Sequence, residues 1–241
     1  MLIFLNLQTT GMESSDKICS IGLIAIDEDD KHTVIYELVN EGKKIPSKAS
    51  SINHITNEMI KDKPCFKDSK AYAFLQKHNS QDTTILMHNM HFTLEKLNSA
   101  GFSFFGEVID TIRVTKHLVP ECEEFALQFL RYELKLYKKE NILIQKYKIE
   151  HQLFAHHALS DALNIKLLYD YLHQISTKDE MATLSFKSVL MQKFSFGKYS
   201  GRYIEEIVNT DRGYLEWMLA KVVDLDEDLR YSINYYLEEH I

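Results

Sequence analysis

Apolar positions in the first half of the chain fall into short runs separated by polar turns, a pattern typical of buried β-strands. These runs predict strands at 2–6, 18–27, 33–39, 84–87 and 107–110. An acidic turn from Asp27 to Asp30 joins the second and third strands, so we expect these two to form a hairpin. Three successive strands followed by strands that alternate with helices indicate a mixed sheet.

Helical patterns occupy most of the remaining sequence up to residue 175. They predict helices at 47–60, 68–78, 93–100, 122–134 and 157–175. Gly101 marks the end of the third of these, because glycine is a common helix terminator. Together the two patterns predict an α/β fold in which helices pack on a sheet.

The pattern changes after Ser176, where the segment from Lys178 to Ser188 is polar enough to be a connector. Beyond it, Gly197 and Gly201 flank Lys-Tyr-Ser, which predicts a hairpin, and helices are expected after it. We therefore predict two domains, a large one at 1–176 and a small α+β domain at 183–241.

The composition fits an ordinary globular protein of 241 residues, 45% hydrophobic and 26% charged. We expect neither a membrane-spanning helix nor a signal peptide, because no run of about eighteen apolar residues occurs. Three scattered cysteines without a CxxC pair fit a reducing compartment, so a cytoplasmic location is expected.

The formal net charge of −7 excludes a broad basic surface of the kind that binds polyanions, but it leaves room for a local groove. Five lysines do cluster in one short stretch, and they are Lys135, Lys138, Lys139, Lys146 and Lys148. A solvated helix face is the ordinary explanation of such a cluster. Its position just before His156 keeps a functional role open.

Three separated motifs carry the candidate chemistry. The first is Leu2-Ile3-Phe4-Leu5-Asn6-Leu7-Gln8-Thr9-Thr10-Gly11, in which residues 6 and 8 project to the same side of a strand. The second is His88-Asn89-Met90-His91-Phe92-Thr93, and the third is His156-His157-Ala158-Leu159-Ser160-Asp161. Two amides stand in the first motif where a metal site would need acids.

In this order and context the motifs resemble those of the DnaQ-like (RNase T-like) DEDDh 3′-to-5′ exonucleases. The tail, with Phe196-Gly197-Lys198-Tyr199-Ser200-Gly201 before Tyr214-Leu215-Glu216-Trp217, resembles the C-terminal region of exodeoxyribonuclease X-like proteins. The resemblance implies a ribonuclease H-like mixed sheet flanked by helices. It also implies hydrolysis of nucleic-acid 3′ ends, DNA or RNA, by two Mg²⁺ or Mn²⁺ ions held by four carboxylates.

The resemblance assigns a role to each matching position. His156 takes the place of the general base, and Asp161 that of a metal ligand. Asn6, Gln8 and Thr93 occupy the other three ligand positions, so only one of four acids is present. The implied substrate-binding residues are Thr9, Thr10, Met12, Asn89 and Phe92. Asp110 resembles a supporting position that is not a ligand.

Thr93 suits a helix N-cap, and His88 and His91 lack a third nearby ligand, so both histidines are interpreted as structural. With one acid left, we expect metal binding that is weak, single or absent, and little or no hydrolysis. Three functions stay open at this point: an impaired 3′-to-5′ exonuclease, a pseudoexonuclease that binds nucleic-acid ends or a protein partner, and an active-site knockout of a working exonuclease. A protein partner would dock on the C-terminal domain, and no membrane partner is expected.

Overall fold

The computed structural model describes residues 1–151 and 153–239, which form two compact units. The first unit comprises Met1–Ser185, and the second comprises the chain from Phe186 onward. Each unit has its own hydrophobic core.

The first unit is built on a five-stranded mixed sheet of order β3-β2-β1-β4-β5. The strands are β1 (Leu2–Thr9), β2 (Ile18–Ile26), β3 (His32–Leu38), β4 (Thr84–Met87) and β5 (Glu107–Asp110). The first three are antiparallel, and β4 and β5 run parallel to β1. The five predicted strands and the mixed sheet are thus confirmed.

Nine helices are described in this unit. They are α1 (Ser47–Asn53), α2 (Asn57–Ile60), α3 (Lys70–Lys77), α4 (Met90–Ser99), α5 (Thr111–Leu118), α6 (Leu127–Glu133), α7 (Glu140–Lys146), α8 (Ala158–Leu172) and α9 (Lys178–Leu184). The ribonuclease H-like arrangement of helices around a mixed sheet is confirmed.

Alternating side chains of β1 divide the core into two layers. Phe4 packs on one face with α8, where its ring lies 5.6 Å from that of Tyr169. Ile3 and Leu5 point to the other face and join the cluster that contains Leu75 and Leu97. Because side chains alternate along a strand, Asn6 and Gln8 lie on the same face as Phe4, which is the face that α8 covers.

Helix α8 is buried on nearly its whole surface and is the most buried helix of the unit. Its first turn crosses β2 at Gly22, which pairs with Asn6 on one side and Tyr36 on the other. A Cβ atom at Gly22 would lie 2.3 Å from the backbone nitrogen of Leu159. The absence of a side chain at Gly22 therefore lets the helix start approach the sheet.

Three predicted helices differ from those in the structure. The single helix at 47–60 is wrong, because His54 takes a left-handed conformation (φ 59°) that ends α1. Helix α6 begins at Leu127 and not at 122, since the preceding segment is a loop. Helix α4 begins at Met90, three residues before the predicted start, because Asn89 caps it.

The polar segment from Lys178 to Ser188 is not simply a connector. Its first part is α9, with Thr177 as the N-cap and Met181 fully buried. The hydroxyl of Ser185 accepts the backbone N–H of Asp110 at 2.9 Å. The segment resembles a linker in sequence because only Met181, Ala182 and Ser185 are buried among its residues, which leaves a weak periodicity.

The second unit contains α10 (Ile204–Lys221) and α11 (Glu227–Glu239), packed around a small apolar core. The predicted hairpin between its glycines is reduced to one bridge, Lys193 to Tyr203, closed by a 3₁₀ turn at Gly197–Tyr199. Lys198 Nζ and the Tyr199 hydroxyl both donate to Asp211, where α10 is kinked. The Lys-Tyr pair of the tail motif therefore holds this kink.

In the described residues, every helix is too short or too polar to cross a bilayer.

Replacing Gly22 with alanine is expected to destabilise the first unit by about 3 kcal/mol, because two backbones would have to separate to admit a methyl group. Thermal unfolding followed by circular dichroism measures this change. The matched control is Gly213→Ala in α10, where a Cβ meets no atom within 4 Å. That variant should be neutral or stabilised by up to about 1 kcal/mol. Equal effects at the two glycines would contradict the close approach of α8.

Candidate active site

The carboxyl ends of β1, β4 and β5 meet at one edge of the sheet, because the three strands are parallel. Asn6 and Gln8 lie near the end of β1, His88 and Asn89 follow β4, and Asp110 ends β5. Ligand sites of α/β folds form at this edge. Here α8 adds Asp161 from its first turn.

Asp161 is buried, and both of its carboxylate oxygens accept hydrogen bonds from side-chain amides. Gln8 Nε2 donates to Oδ2 at 3.2 Å, and Gln128 Nε2 donates to Oδ1 at 2.9 Å. Gln8 Nε2 also donates to Asn6 Oδ1 at 3.1 Å. We call Gln8 and Gln128 the amide clamp of Asp161. A carboxylate only accepts hydrogen bonds, so the amide nitrogens are the atoms that face it.

Burial raises the pKa of Asp161 to about 7, since a charged carboxylate loses its hydration there. The hydrogen bond from Gln128, the backbone bond from His156 and the bond from Gln8 each act in the opposite direction. The positive charge of Arg131 nearby also lowers the pKa. Neutral amide donors only partly offset the cost of burial.

Thr93 is buried in the first turns of α4 and does not cap the helix, so the predicted N-cap role is wrong. Asn89 is the cap, and its Oδ1 accepts the backbone N–H of Phe92 at 3.3 Å. Asn89 has φ 77°, a left-handed conformation that asparagine tolerates better than most residues. Thr93 therefore lines the cleft from within α4, after the helix has begun.

Asp110 anchors two helix starts. Its Oδ1 accepts the backbone N–H groups of Asn89 and Ile112 at 3.1 and 3.0 Å. Its Oδ2 accepts the N–H of Met90 at 3.1 Å. These contacts fit the supporting role expected for Asp110.

His88 is held by two contacts, which fits its interpretation as a structural residue. Its Nε2 lies 2.8 Å from the Phe125 carbonyl, so this nitrogen carries the proton. Its Nδ1 lies 2.9 Å from the Thr111 hydroxyl. Burial lowers the pKa of His88 to about 4, which keeps the ring neutral at physiological pH.

The two histidines before α8 have different environments. His156, at φ 60°, is exposed and lines the cleft. His157 is buried, and its ring stacks on Tyr36 with centroids 4.1 Å apart. Burial and the nearby His151 lower the pKa of His157 to about 4. Of these two histidines, His156 is the one that faces the cleft.

The threonine hydroxyl groups of the turn after β1 form hydrogen bonds within the turn itself. Thr9 Oγ1 donates to the Gly11 carbonyl at 2.6 Å, and Thr10 Oγ1 donates to Asp16 at 2.8 Å. Neither threonine lines the cleft, so their contact with substrate stays a prediction. Met12, at the tip of the turn, is 73% exposed and does line it.

These elements enclose an open cleft of about 490 Å³. It brings together eight of the ten predicted site residues, namely Asn6, Gln8, Met12, Asn89, Phe92, Thr93, His156 and Asp161. It is also lined by residues that sequence reasoning missed, namely Leu7, Ile112, Lys116, Phe125 and Ala126, together with His88. The lysine cluster that includes Lys138 and Lys146 lies outside the lining.

Gln128 was missed because a glutamine in a helix carries no signal by itself. Its contact with Asp161 depends on the start of α6 at Leu127, and the sequence placed that start five residues too early. No helix is predicted over 111–118, so Lys116 lies in a segment to which the sequence assigns neither a helix nor chemistry. The signal available for Lys116 was its position six residues after Asp110, on the helix that leaves the strand edge.

The donor set does not fit a pair of divalent ions. Mg²⁺ and Mn²⁺ prefer carboxylate oxygens, and Asp161 is the one carboxylate among the described residues of the cleft. No group of three or more acidic, histidine or cysteine side chains arranged to hold a metal occurs in residues 1–151 and 153–239. The amide nitrogens of Gln8 and Gln128 point at the oxygens that a cation would need.

Comparison with known proteins defines the class of this fold and site. The family described as Exonuclease matches residues 4–169, and the family described as Exodeoxyribonuclease X-like C-terminal matches residues 194–223. The chain belongs to the DnaQ-like exonuclease family, whose members generally use divalent metals.

Among curated relatives, exodeoxyribonuclease 10 of Escherichia coli K12 is 26% identical over 99% of both chains. DNA polymerase III subunit epsilon of Rickettsia prowazekii is 28% identical over 81% of this chain and 87% of its own length. A structure of exonuclease X with 5′-overhanging duplex DNA covers 77% of this chain and 99% of its own, at 22% identity and TM-score 0.57. At that identity the structural likeness shows the fold alone.

The stability of the first unit is expected to fall as the pH rises from about 4 to about 7, through Asp161. The raised pKa means that the folded state keeps a proton that the unfolded state has lost, so each step up in pH favours unfolding. Above about pH 7 the contribution is constant.

The variant Asp161→Asn removes this dependence. The free energy of unfolding of the variant minus that of the parent should be about 2 kcal/mol larger at pH 8 than at pH 5. Denaturant titrations at the two pH values measure the difference, in which any constant effect of the new amide cancels. An identical change at both pH values would show that Asp161 is ionised in the folded protein throughout.

Proposed function

We propose that this protein binds nucleic-acid 3′ ends in the cleft without hydrolysing them at a measurable rate. The observation that carries the proposal is the amide clamp: Gln8 and Gln128 occupy both oxygens of Asp161. In such a site both oxygens of Asp161 have hydrogen-bond partners without a cation.

Electrostatics supports the loss of hydrolysis. At 4 Å and an effective dielectric of about 20, each carboxylate attracts a unit positive charge by about 4 kcal/mol, and a divalent ion about twice as strongly. Asn6, Gln8 and Thr93 remove three such attractions. A phosphodiester cannot then be held between two ions that activate water and stabilise the leaving group.

The remaining cleft residues support binding. Met12, Asn89 and Phe92 line the cleft, and none of them depends on the missing acids. The name of the relative exodeoxyribonuclease 10 and the duplex DNA in the matched exonuclease X structure favour DNA as the ligand. We place the 3′-terminal nucleotide beside Met12 and Asn89, with Thr9 and Thr10 shaping the turn that contacts it. A cytoplasmic location and a division into a large N-terminal and a small C-terminal domain belong to the same proposal.

A second candidate is a working exonuclease whose acids have been substituted. Asn6 and Gln8 favour it, because each keeps the shape of the acid it would replace. Thr93 disfavours it, because threonine is not an isostere of aspartate. Both candidates assume that the cleft residues around the metal positions are unchanged. Both are therefore tested by restoring the acids.

The triple variant Asn6→Asp, Gln8→Glu, Thr93→Asp is expected to gain Mg²⁺-dependent 3′-to-5′ degradation of a labelled single-stranded oligonucleotide, while the parent stays inactive. The assay is gel electrophoresis of the products with and without EDTA. Adding His156→Ala to the triple variant should remove most of the gained activity, typically 10²-fold or more for a general base. Metal-dependent degradation by the parent protein would overturn the proposal.

The same variant should be less stable than the parent when no metal is present. Four carboxylates in one cleft repel each other, and Gln8→Glu also removes one arm of the amide clamp. We expect a lower melting temperature in EDTA that Mg²⁺ or Mn²⁺ restores, whereas the parent should respond little to either ion. A large metal-induced rise in the melting temperature of the parent would contradict the absence of a metal pair.

A further inference from the structure

The cleft has an unusual charge balance for a site that binds phosphate. Among its described lining residues, Lys116 is the one lysine or arginine, and Asp161 is the one carboxylate. Both oxygens of Asp161 are already engaged by neutral amides. Lys116 is therefore the cation available to an anion that enters the cleft.

Lys116 lies on α5 and is half-buried against the wall formed by Phe125. Its Nζ is 5.9 Å from the centroid of the Phe125 ring. In residues 1–151 and 153–239, no carboxylate lies within 4 Å of this ammonium group. A half-buried cation without a carboxylate partner has unused hydrogen-bond donors and is less screened by salt than an exposed one.

The part of the cleft wall that carries Lys116 is held by hydrogen bonds at two points. Asp110 caps α5 at its first turn, and the Phe125 carbonyl accepts the Nε2 proton of His88. The backbone segments that carry Lys116 and Phe125 are thus each anchored by a hydrogen bond beside the cleft. Their positions do not depend on a bound metal.

We propose that Lys116 is the positioning residue that binds a phosphate of the terminal nucleotide, so that the cleft binds nucleic-acid ends independently of divalent metal. This inference rests on the proposed function and deepens it. In a cleft with two metals, the ions neutralise the phosphate. In this cleft the ammonium group of Lys116 does so, which is sufficient to hold an end but supplies no activated water.

The test measures binding of a short 5′-fluorescein single-stranded DNA by fluorescence anisotropy, in EDTA and in Mg²⁺, over a series of salt concentrations. The parent should bind equally in EDTA and in Mg²⁺. Lys116→Gln should weaken binding roughly tenfold, since one charged hydrogen bond is lost. The slope of log K against log salt should become shallower by about 0.7, the value for one phosphate contact with a single strand.

Two variants serve as controls. Lys116→Arg keeps the charge and should retain binding within about threefold, because both side chains donate to phosphate. Lys77→Gln changes the charge equally at an exposed position on α3, outside the cleft, and should leave the affinity and the salt slope unchanged. Circular dichroism of each variant shows whether its fold is retained.

The outcomes distinguish the role of Lys116 from the proposed function. Binding by the parent that needs Mg²⁺, or that Lys116→Gln and Lys77→Gln alter equally, would overturn the role of Lys116 and leave the proposed function standing. No binding by the parent in either buffer would overturn the proposed function, and this inference with it. Metal-independent binding that is lost selectively in Lys116→Gln supports both.

Discussion

The contact between strand β1 and the first turn of helix α8 determines where the side chains of the cleft lie. Gly22 lets the helix approach the sheet closely enough for Asp161 to reach Gln8, which projects from the same face as Phe4. If the strand slipped by one residue, Asn6 and Gln8 would turn into the opposite core. The register between β1 and β2 therefore fixes both the core and the site.

The amide clamp changes the physical character of an exonuclease-family site while keeping its shape. A cluster of acids is stable only with cations or protons to offset its repulsion. Glutamine donors engage both oxygens of Asp161 without a cation, although burial still raises the pKa of this carboxyl group to about 7. Stability and hydrolysis therefore make opposite demands on these positions.

Much of the fold could be predicted because its signals are local. Buried strands such as β4 are marked by short apolar runs, and α8 is marked by apolar residues that recur at helical spacing. The break at His54 and the early start of α4 could not be predicted, because both depend on left-handed residues that are not glycine. Gln128 and Lys116 were missed for a different reason: their importance comes from partners distant in sequence, on α8 and in the loop before α6.

The carboxylate of Asp110 binds the starts of two helices that line the cleft, α4 and α5. Through Asn89 and Met90 it holds α4, which carries Phe92, and through Ile112 it holds α5, which carries Lys116. The aromatic side and the cationic side therefore share a single anchor. The separation between Phe92 and Lys116 across the cleft thus depends on one carboxylate that itself lines neither side.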